Sequence, residues 1–228
     1  MITAIVVAAG RSERMGANID KAFLSLGQRP VIAWSLLVFE QCTLIDRVVL
    51  VVRREQQVAA KSVVQMFGLS KVQSIVAGGA RRQDSINNGL AVVDPDTRIV
   101  VTHDAARPCV TAELIEATIK SAQQHGTGIA ACRITDTVKF VKKGLTVDHT
   151  VDRSKLWAVQ TPQSFKIDLL KRACAHVAGQ KETVTDEAAA VEALGENVRL
   201  VEWAKPNFKI TTVEDLSVVA ALLKIPVL

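Results

Sequence analysis

Four runs of branched aliphatic residues, Ala4–Ala8, Arg47–Val52, Val72–Val76 and Ile99–His103, recur along the first half of the chain with helical patterns between them. A strand with one wet face alternates apolar and polar residues. These runs do not alternate, so they read as strands covered on both faces. Strands of that kind, spaced by helices, point to a Rossmann-like, mostly parallel α/β sheet with helices on both sides. Pro30 suits the first turn of a helix reaching about Gln41. In Ala112–Ala122 the residues Leu114, Ile115, Thr118, Ile119 and Ala122 share one face, with Thr111 as N-cap. Thr212-Val213-Glu214-Asp215 resembles a capping box ahead of Leu216, Val219, Ala220 and Leu223.

One stretch interrupts this alternation. From Arg133 to about Trp157 the chain is polar and strand-like, with Gly144 between two basic or β-branched runs. It reads as a hairpin arm projecting from the sheet. Without repeats or low-complexity linkers, residues 1–228 form one domain with an arm at about 133–157. At 228 residues and 49% hydrophobic, the chain supplies a core that needs no disulfide staples. Cys42, Cys109, Cys132 and Cys174 lie far apart with no CxxC spacing, which indicates neither a zinc site nor a disulfide framework. Val31–Phe39 is too short to cross a bilayer, and the N-terminus lacks the basic region of a signal peptide. A reduced cytoplasm is the simplest location. The net charge of +5 favours small anions, and with aromatics at 4% and no Tyr there is no basic-aromatic stripe for nucleic acid.

The chemistry concentrates where the strands end. Ala8-Ala9-Gly10-Arg11-Ser12-Glu13-Arg14-Met15-Gly16, followed by Lys21, leaves the first strand. Small residues there let backbone N–H groups approach an anion, although neither GxxxxGK[ST] nor GxGxxG is present. A tight turn with solvated cations accounts for the same residues equally well. Gly78-Gly79-Ala80-Arg81-Arg82-Gln83-Asp84-Ser85 follows the third strand. It is either a second close-approach loop or an ordinary strand–helix turn. Thr102-His103-Asp104-Ala105-Ala106-Arg107-Pro108 ends the fourth. Adjacent strand side chains face opposite ways, so His103 reads as a packed structural residue rather than a dyad partner of Asp104. Asp104 suits a sugar hydroxyl or metal, or an ion pair with Arg107. Thr185 before Asp186-Glu187 looks like a helix N-cap.

Taken together, these pieces resemble the 2-C-methyl-D-erythritol 4-phosphate cytidylyltransferase family, in the family's order over essentially the whole chain. Further matching segments are Asp136-Thr137-Val138-Lys139, Thr150-Val151-Asp152-Arg153, Trp157, Gln160-Thr161-Pro162-Gln163, Thr185-Asp186-Glu187-Ala188 and Asn207-Phe208-Lys209-Ile210-Thr211. Two positions depart from the pattern: Ser12 stands where glycine is common, and Asp20 where proline commonly precedes the lysine. Ribitol 5-phosphate cytidylyltransferases are the nearest alternative, typically with AGG and HDSVRP where this chain has Ala8-Ala9-Gly10 and His103 to Pro108. The chain ends at Leu228, and the expected form is monofunctional.

The resemblance implies a nucleotide-diphospho-sugar transferase-like fold and CMP transfer from CTP to 2-C-methyl-D-erythritol 4-phosphate. It implies catalytic roles for Arg14, Lys21, Lys209 and Asp104. Nucleotide contacts are expected from Ala8, Ala9, Gly10, Arg11, Ser12, Gly78, Asp84, Ser85 and Ala105. The methylerythritol phosphate is expected at Thr137, Arg153, Thr161, Thr185 and Lys209. Mg²⁺ is expected to be held mainly through the CTP phosphates, with no protein metal cluster. The arm of one subunit is expected to complete the site of its partner in a two-fold dimer.

Overall fold

The computed structural model describes residues 1–10, 20–180 and 182–225. The expected strands appear, most a residue or two longer: β1 (Ile2–Ala8), β4 (Arg47–Val52), β5 (Val72–Ala77) and β6 (Ile99–Asp104). Between β1 and β4 lie the two-residue strands β2 (Ser25–Leu26) and β3 (Arg29–Pro30), then α1 (Val31–Gln41). Helices α2 (Gln57–Met66) and α3 (Arg82–Leu90) flank β5. The second half contains α4 (Ala112–His125), β7 (Thr127–Arg133), the hairpin strands β8 (Val138–Val141) and β9 (Val147–Val151), and β10 (Trp157–Lys166). It ends with α5 (Ile167–Gln180), α6 (Glu187–Ala193), β11 (Leu200–Glu202) and α7 (Asp215–Leu222).

The seven-stranded sheet has the order β11-β7-β10-β6-β1-β4-β5. Strands β6, β1, β4 and β5 pair in parallel, as do β11 and β7, while β10 runs antiparallel to both its neighbours. The pleat sends alternate residues to opposite sides. Ala4, Val6 and Ala8 enter a core with Val48, Leu50 and Val52 beneath α1, α2 and α4. Ile5 and Val7 enter a second core with Val49 and Val51 beneath α3, α5 and α6. Both faces are therefore dry, which is why the runs are unbroken.

The helix boundaries follow local chemistry. Pro30 is the N-cap of α1 rather than its first-turn residue. Thr111 caps α4 by accepting the Leu114 N–H, and Gly126 ends that helix at φ 89°. The C-terminal helix starts later than the sequence pattern suggests, at Asp215. The Asp215 carboxylate reaches back to the N–H groups of Thr211 and Thr212, so the acid half of the expected box is present. The arm is also present, with β8 and β9 antiparallel around Gly144 at φ 64°. Its apolar side chains face outward, Leu145 being 98% exposed and Phe140 46%.

Candidate active site

The carboxyl ends of β1, β4, β5 and β6 open onto a cleft of about 630 Å³. Ala8, Ala9 and Gly10 line one wall, Gly78 to Arg82 and Ser85 another, and Asp104, Ala106 and Lys209 the floor. Arg53, Arg54 and Lys21 close the remaining side. The glycine loop approaches closely because only hydrogen fits there. A Cβ on Gly78 would lie 2.3 Å from the Ala9 Cβ and 2.8 Å from the Ser85 Oγ. The Ser85 hydroxyl accepts the Gly79 N–H at 3.0 Å and donates to the Arg81 carbonyl at 3.1 Å, fastening the loop to α3.

Asp104 organises the charges. Its Oδ1 accepts Nε of Arg82 at 3.1 Å and its Oδ2 accepts Nζ of Lys209 at 2.6 Å. Burial alone would push this carboxyl up, but Arg82 and Lys209 outweigh it and hold the group well below the ordinary carboxylate range. Arg82 also donates to Glu187, whose other oxygen accepts the Thr102 hydroxyl at 2.8 Å. Burial opposes the charge on Arg82, and Glu187 and Asp104 more than restore it. Arg107 is not the partner of Asp104; its guanidinium donates to the Asn207 carbonyl at 2.8 Å.

His103 points away from the cleft, as strand alternation requires, and packs against Phe39 with ring centroids 5.2 Å apart. Its Nε2 faces the Arg107 carbonyl at 3.3 Å, and a carbonyl can only accept, so Nε2 carries the proton. Nδ1 then accepts from the Thr161 hydroxyl at 3.2 Å, and Thr161 Oγ1 accepts the Asp104 N–H at 3.0 Å. Burial drives the imidazole pKa down to about 3, so the ring is neutral and both nitrogens are committed. His103 is an internal brace, not a base.

The other residues named from the sequence are divided between the cleft, its surroundings and the arm. Ala105 is fully buried, its N–H given to the Val7 carbonyl at 2.9 Å, and Ala106 faces the cleft in its place. Asp84 lies off the cleft lining and pairs with Arg81 at 2.8 Å while capping α3. Asp186, not Thr185, is the N-cap of α6, accepting the Ala189 N–H at 2.9 Å. Thr161 is buried behind Asp104. Thr137 and Arg153 sit exposed at the base of the arm, where Arg153 donates to the Thr135 carbonyl. Arg11, Ser12 and Arg14 lie outside the described residues.

Two features were hidden from residue-level reasoning. Glu187 reads as an ordinary first-turn acid, yet it is the buried counter-charge of Arg82. Asp20 accepts Nε and Nη2 of Arg53 at 3.1 and 3.0 Å, a pair joined across 33 residues. Neither spacing carries a local signal.

Comparison with known proteins gives a consistent neighbourhood. The family model for 2-C-methyl-D-erythritol 4-phosphate cytidylyltransferase matches residues 2–225. The protein of that name from Alkaliphilus oremlandii is 42% identical over 221 residues, covering 96% of this chain and 94% of the relative. The one from Geobacillus kaustophilus is 41% identical, covering 96% of each. The crystal structure of 4-diphosphocytidyl-2C-methyl-D-erythritol synthase from Anaerococcus prevotii superposes with a TM-score of 0.86 at 29% identity, over 98% of both chains. The Francisella tularensis 2-C-methyl-D-erythritol 4-phosphate cytidylyltransferase gives 0.82 at 30% identity, over 97% of this chain and 99% of that one.

Proposed function

The chain belongs to the 2-C-methyl-D-erythritol 4-phosphate cytidylyltransferase family, and from that premise we propose how its own residues carry out the transfer. The enzyme moves CMP from CTP to 2-C-methyl-D-erythritol 4-phosphate, giving 4-diphosphocytidyl-2-C-methyl-D-erythritol and pyrophosphate for isoprenoid biosynthesis. A phosphate oxygen of the acceptor attacks the α-phosphorus in line. The bond from that phosphorus to the bridging oxygen breaks, and pyrophosphate leaves with the electron pair. The attacking phosphate is already ionised at neutral pH, so no side chain need remove a proton. This fits the commitment of both His103 nitrogens elsewhere.

The observation that carries this reading is the convergence of cations from distant segments. Lys21 Nζ donates to the Ile210 carbonyl at 3.0 Å, beside Lys209, and both lysines line the cleft that Gly78 and Ser85 bound. Fixed cations stabilise charge that grows on a pentacoordinate phosphoryl group. Lys21, with Arg14, is assigned to that charge, and Ala8, Ala9, Gly10, Arg11 and Ser12 to the triphosphate. Gly78 and Ser85, with Ala106 in the place expected of Ala105, hold the nucleoside. Asp104 and Lys209 face the acceptor.

Mg²⁺, held mainly through the CTP phosphates, would supply neutralisation of their charge when bound. The carboxylates of Asp104 and Asp20 are already paired with cations, which suits a metal carried by the nucleotide. The exposed arm, with Leu145, Phe140 and Val147 uncovered, suits a homodimer in which Thr137 and Arg153 reach the partner's cleft. There they join Thr185 and Lys209 around the acceptor phosphate, where an arginine fork matches phosphate geometry, while Thr161 serves from behind by holding Asp104. Among the described residues no helix is long and apolar enough to cross a membrane. A cytoplasmic location suits the four free cysteines.

A coupled pyrophosphate-release assay tests the substrate assignment. Release with CTP should be fastest for 2-C-methyl-D-erythritol 4-phosphate. Faster turnover of ribitol 5-phosphate, or none of either, overturns it.

A further inference from the structure

We propose that the Asp20–Arg53 ion pair is a positioning device for Lys21, acting on turnover rather than on nucleotide binding. The proposal rests on the assignment of Lys21 to the transition state.

Asp20 is buried, and its side chain is almost completely enclosed, being only 5% exposed. A carboxylate so placed must have every oxygen occupied. Oδ2 takes two N–H groups of Arg53, at 3.1 and 3.0 Å, and Oδ1 takes the Ala22 N–H at 3.1 Å. Arg53 is the first residue after β4, itself held from the other side by Glu55 at 3.3 Å. The pair therefore fixes residue 20 to the end of a buried strand flanked by β1 and β5. On the far side of Lys21, the Ala22 carbonyl accepts the Ile32 N–H at 2.8 Å, fixing residue 22 to the first turn of α1. The Phe23 N–H closes the turn on the Asp20 carbonyl at 3.0 Å.

Lys21 is thus the middle residue of a turn clamped at both ends. Its Cα direction is set by β4 through a charge pair and by α1 through the backbone. A long flexible ammonium that must meet one phosphoryl oxygen depends on such a base, because small displacements of a catalytic group are amplified in rate. Arg53 lines the same cleft. Its pairing with Asp20 holds its guanidinium at the wall, beside the lysine it orients.

The test uses the full-length enzyme and CTP with 2-C-methyl-D-erythritol 4-phosphate. Asp20→Asn keeps an oxygen for the Ala22 N–H but loses the charge pair, and Arg53→Ala removes the partner from its more accessible side. Each should lower kcat by roughly 10- to 100-fold with little change in CTP KM. Arg53→Lys, which keeps the charge, should recover part of that loss. The deciding measurement is the mutant cycle with Lys21→Ala. In that background Asp20→Asn should reduce kcat no further, because the device has nothing left to position. A full multiplicative loss in that background, or wild-type kcat in Asp20→Asn and Arg53→Ala, overturns the proposal. Wild-type kcat in Lys21→Ala overturns instead the assignment on which it rests.

Discussion

The hydroxyl of Thr161 accepts the backbone N–H of Asp104 at 3.0 Å and donates to Nδ1 of His103 at 3.2 Å. One side chain on β10 thereby satisfies two neighbours on β6 that face opposite sides of the sheet. Thr161→Val leaves a buried N–H and a buried ring nitrogen without partners, each worth about 1–3 kcal/mol. Urea unfolding should show a loss on that scale. Thr161→Ser, which keeps the hydroxyl, should lose much less.

The same bridge makes stability depend on pH. Burial lowers the His103 pKa to about 3 from an ordinary 6.5, so the folded protein holds the ring neutral where the unfolded chain protonates it. The contribution is fully present above 6.5 and is lost as pH falls from there toward 3. Its limiting slope is about 1.4 kcal/mol per pH unit. Asp104, also depressed, adds its own loss at more acid pH. His103→Gln should flatten the pH dependence of the urea midpoint between pH 6 and 4. A slope unchanged by the substitution contradicts this account.

Gly78 answers a different demand, close approach. In Gly78→Ala the new methyl must displace Ala9, the Ser85 hydroxyl, or both, from contacts of 2.3 and 2.8 Å. Overpacking of that kind costs about 1–3 kcal/mol. Since the displaced groups line the cleft, that cost should appear in CTP KM, by roughly 5- to 150-fold. Steady-state kinetics with CTP varied, alongside a melting curve, separates the effect on the loop from one on the fold.

Assembly in trans has its own signature. In the proposed arm-exchanged homodimer, Lys21→Ala would damage the core half of a site and Arg153→Ala the arm half. Each homodimer should be nearly inactive. After joint refolding, half of the dimers are mixed, and one of the two sites in each is intact if arms are exchanged. About a quarter of wild-type pyrophosphate release should return. No recovery, with mixed dimers verified by mass, places the arm in its own subunit's site.

How much of this was legible in the sequence depends on the distance between partners. The β1, β4, β5 and β6 strands were visible because burial on both faces leaves an unbroken aliphatic run in each. The arm was visible because Gly144 interrupts a polar stretch that has no helical period. The position of β10 was not, since nothing in Trp157–Lys166 says that it will lie reversed between β7 and β6. Asp104 was picked out by its place at a strand end. Its two cations come from Arg82 and Lys209, and no spacing rule links those three residues. The pairings of Glu187 with Arg82 and of Asp20 with Arg53 are illegible for the same reason: a buried counter-charge looks like any surface acid until its partner is known. Family resemblance pointed to Thr161 as a site residue, but only the packing shows where its hydroxyl is spent.

The pairs Arg82–Glu187 and Asp104–Lys209 each span 105 residues. Strands β1, β4, β5 and β6 are complete by residue 104, whereas the counter-charges arrive from α6 and from the segment before α7. A chain still emerging from the ribosome can build the first half of the sheet, but Arg82 and Asp104 then lack half of their compensation. Closure of loops this long comes late, because its entropy must be offset by contacts already made. The electrostatics of the cleft therefore mature last. Recovery of turnover during refolding should report completion of the whole chain, not of the first half of the sheet alone.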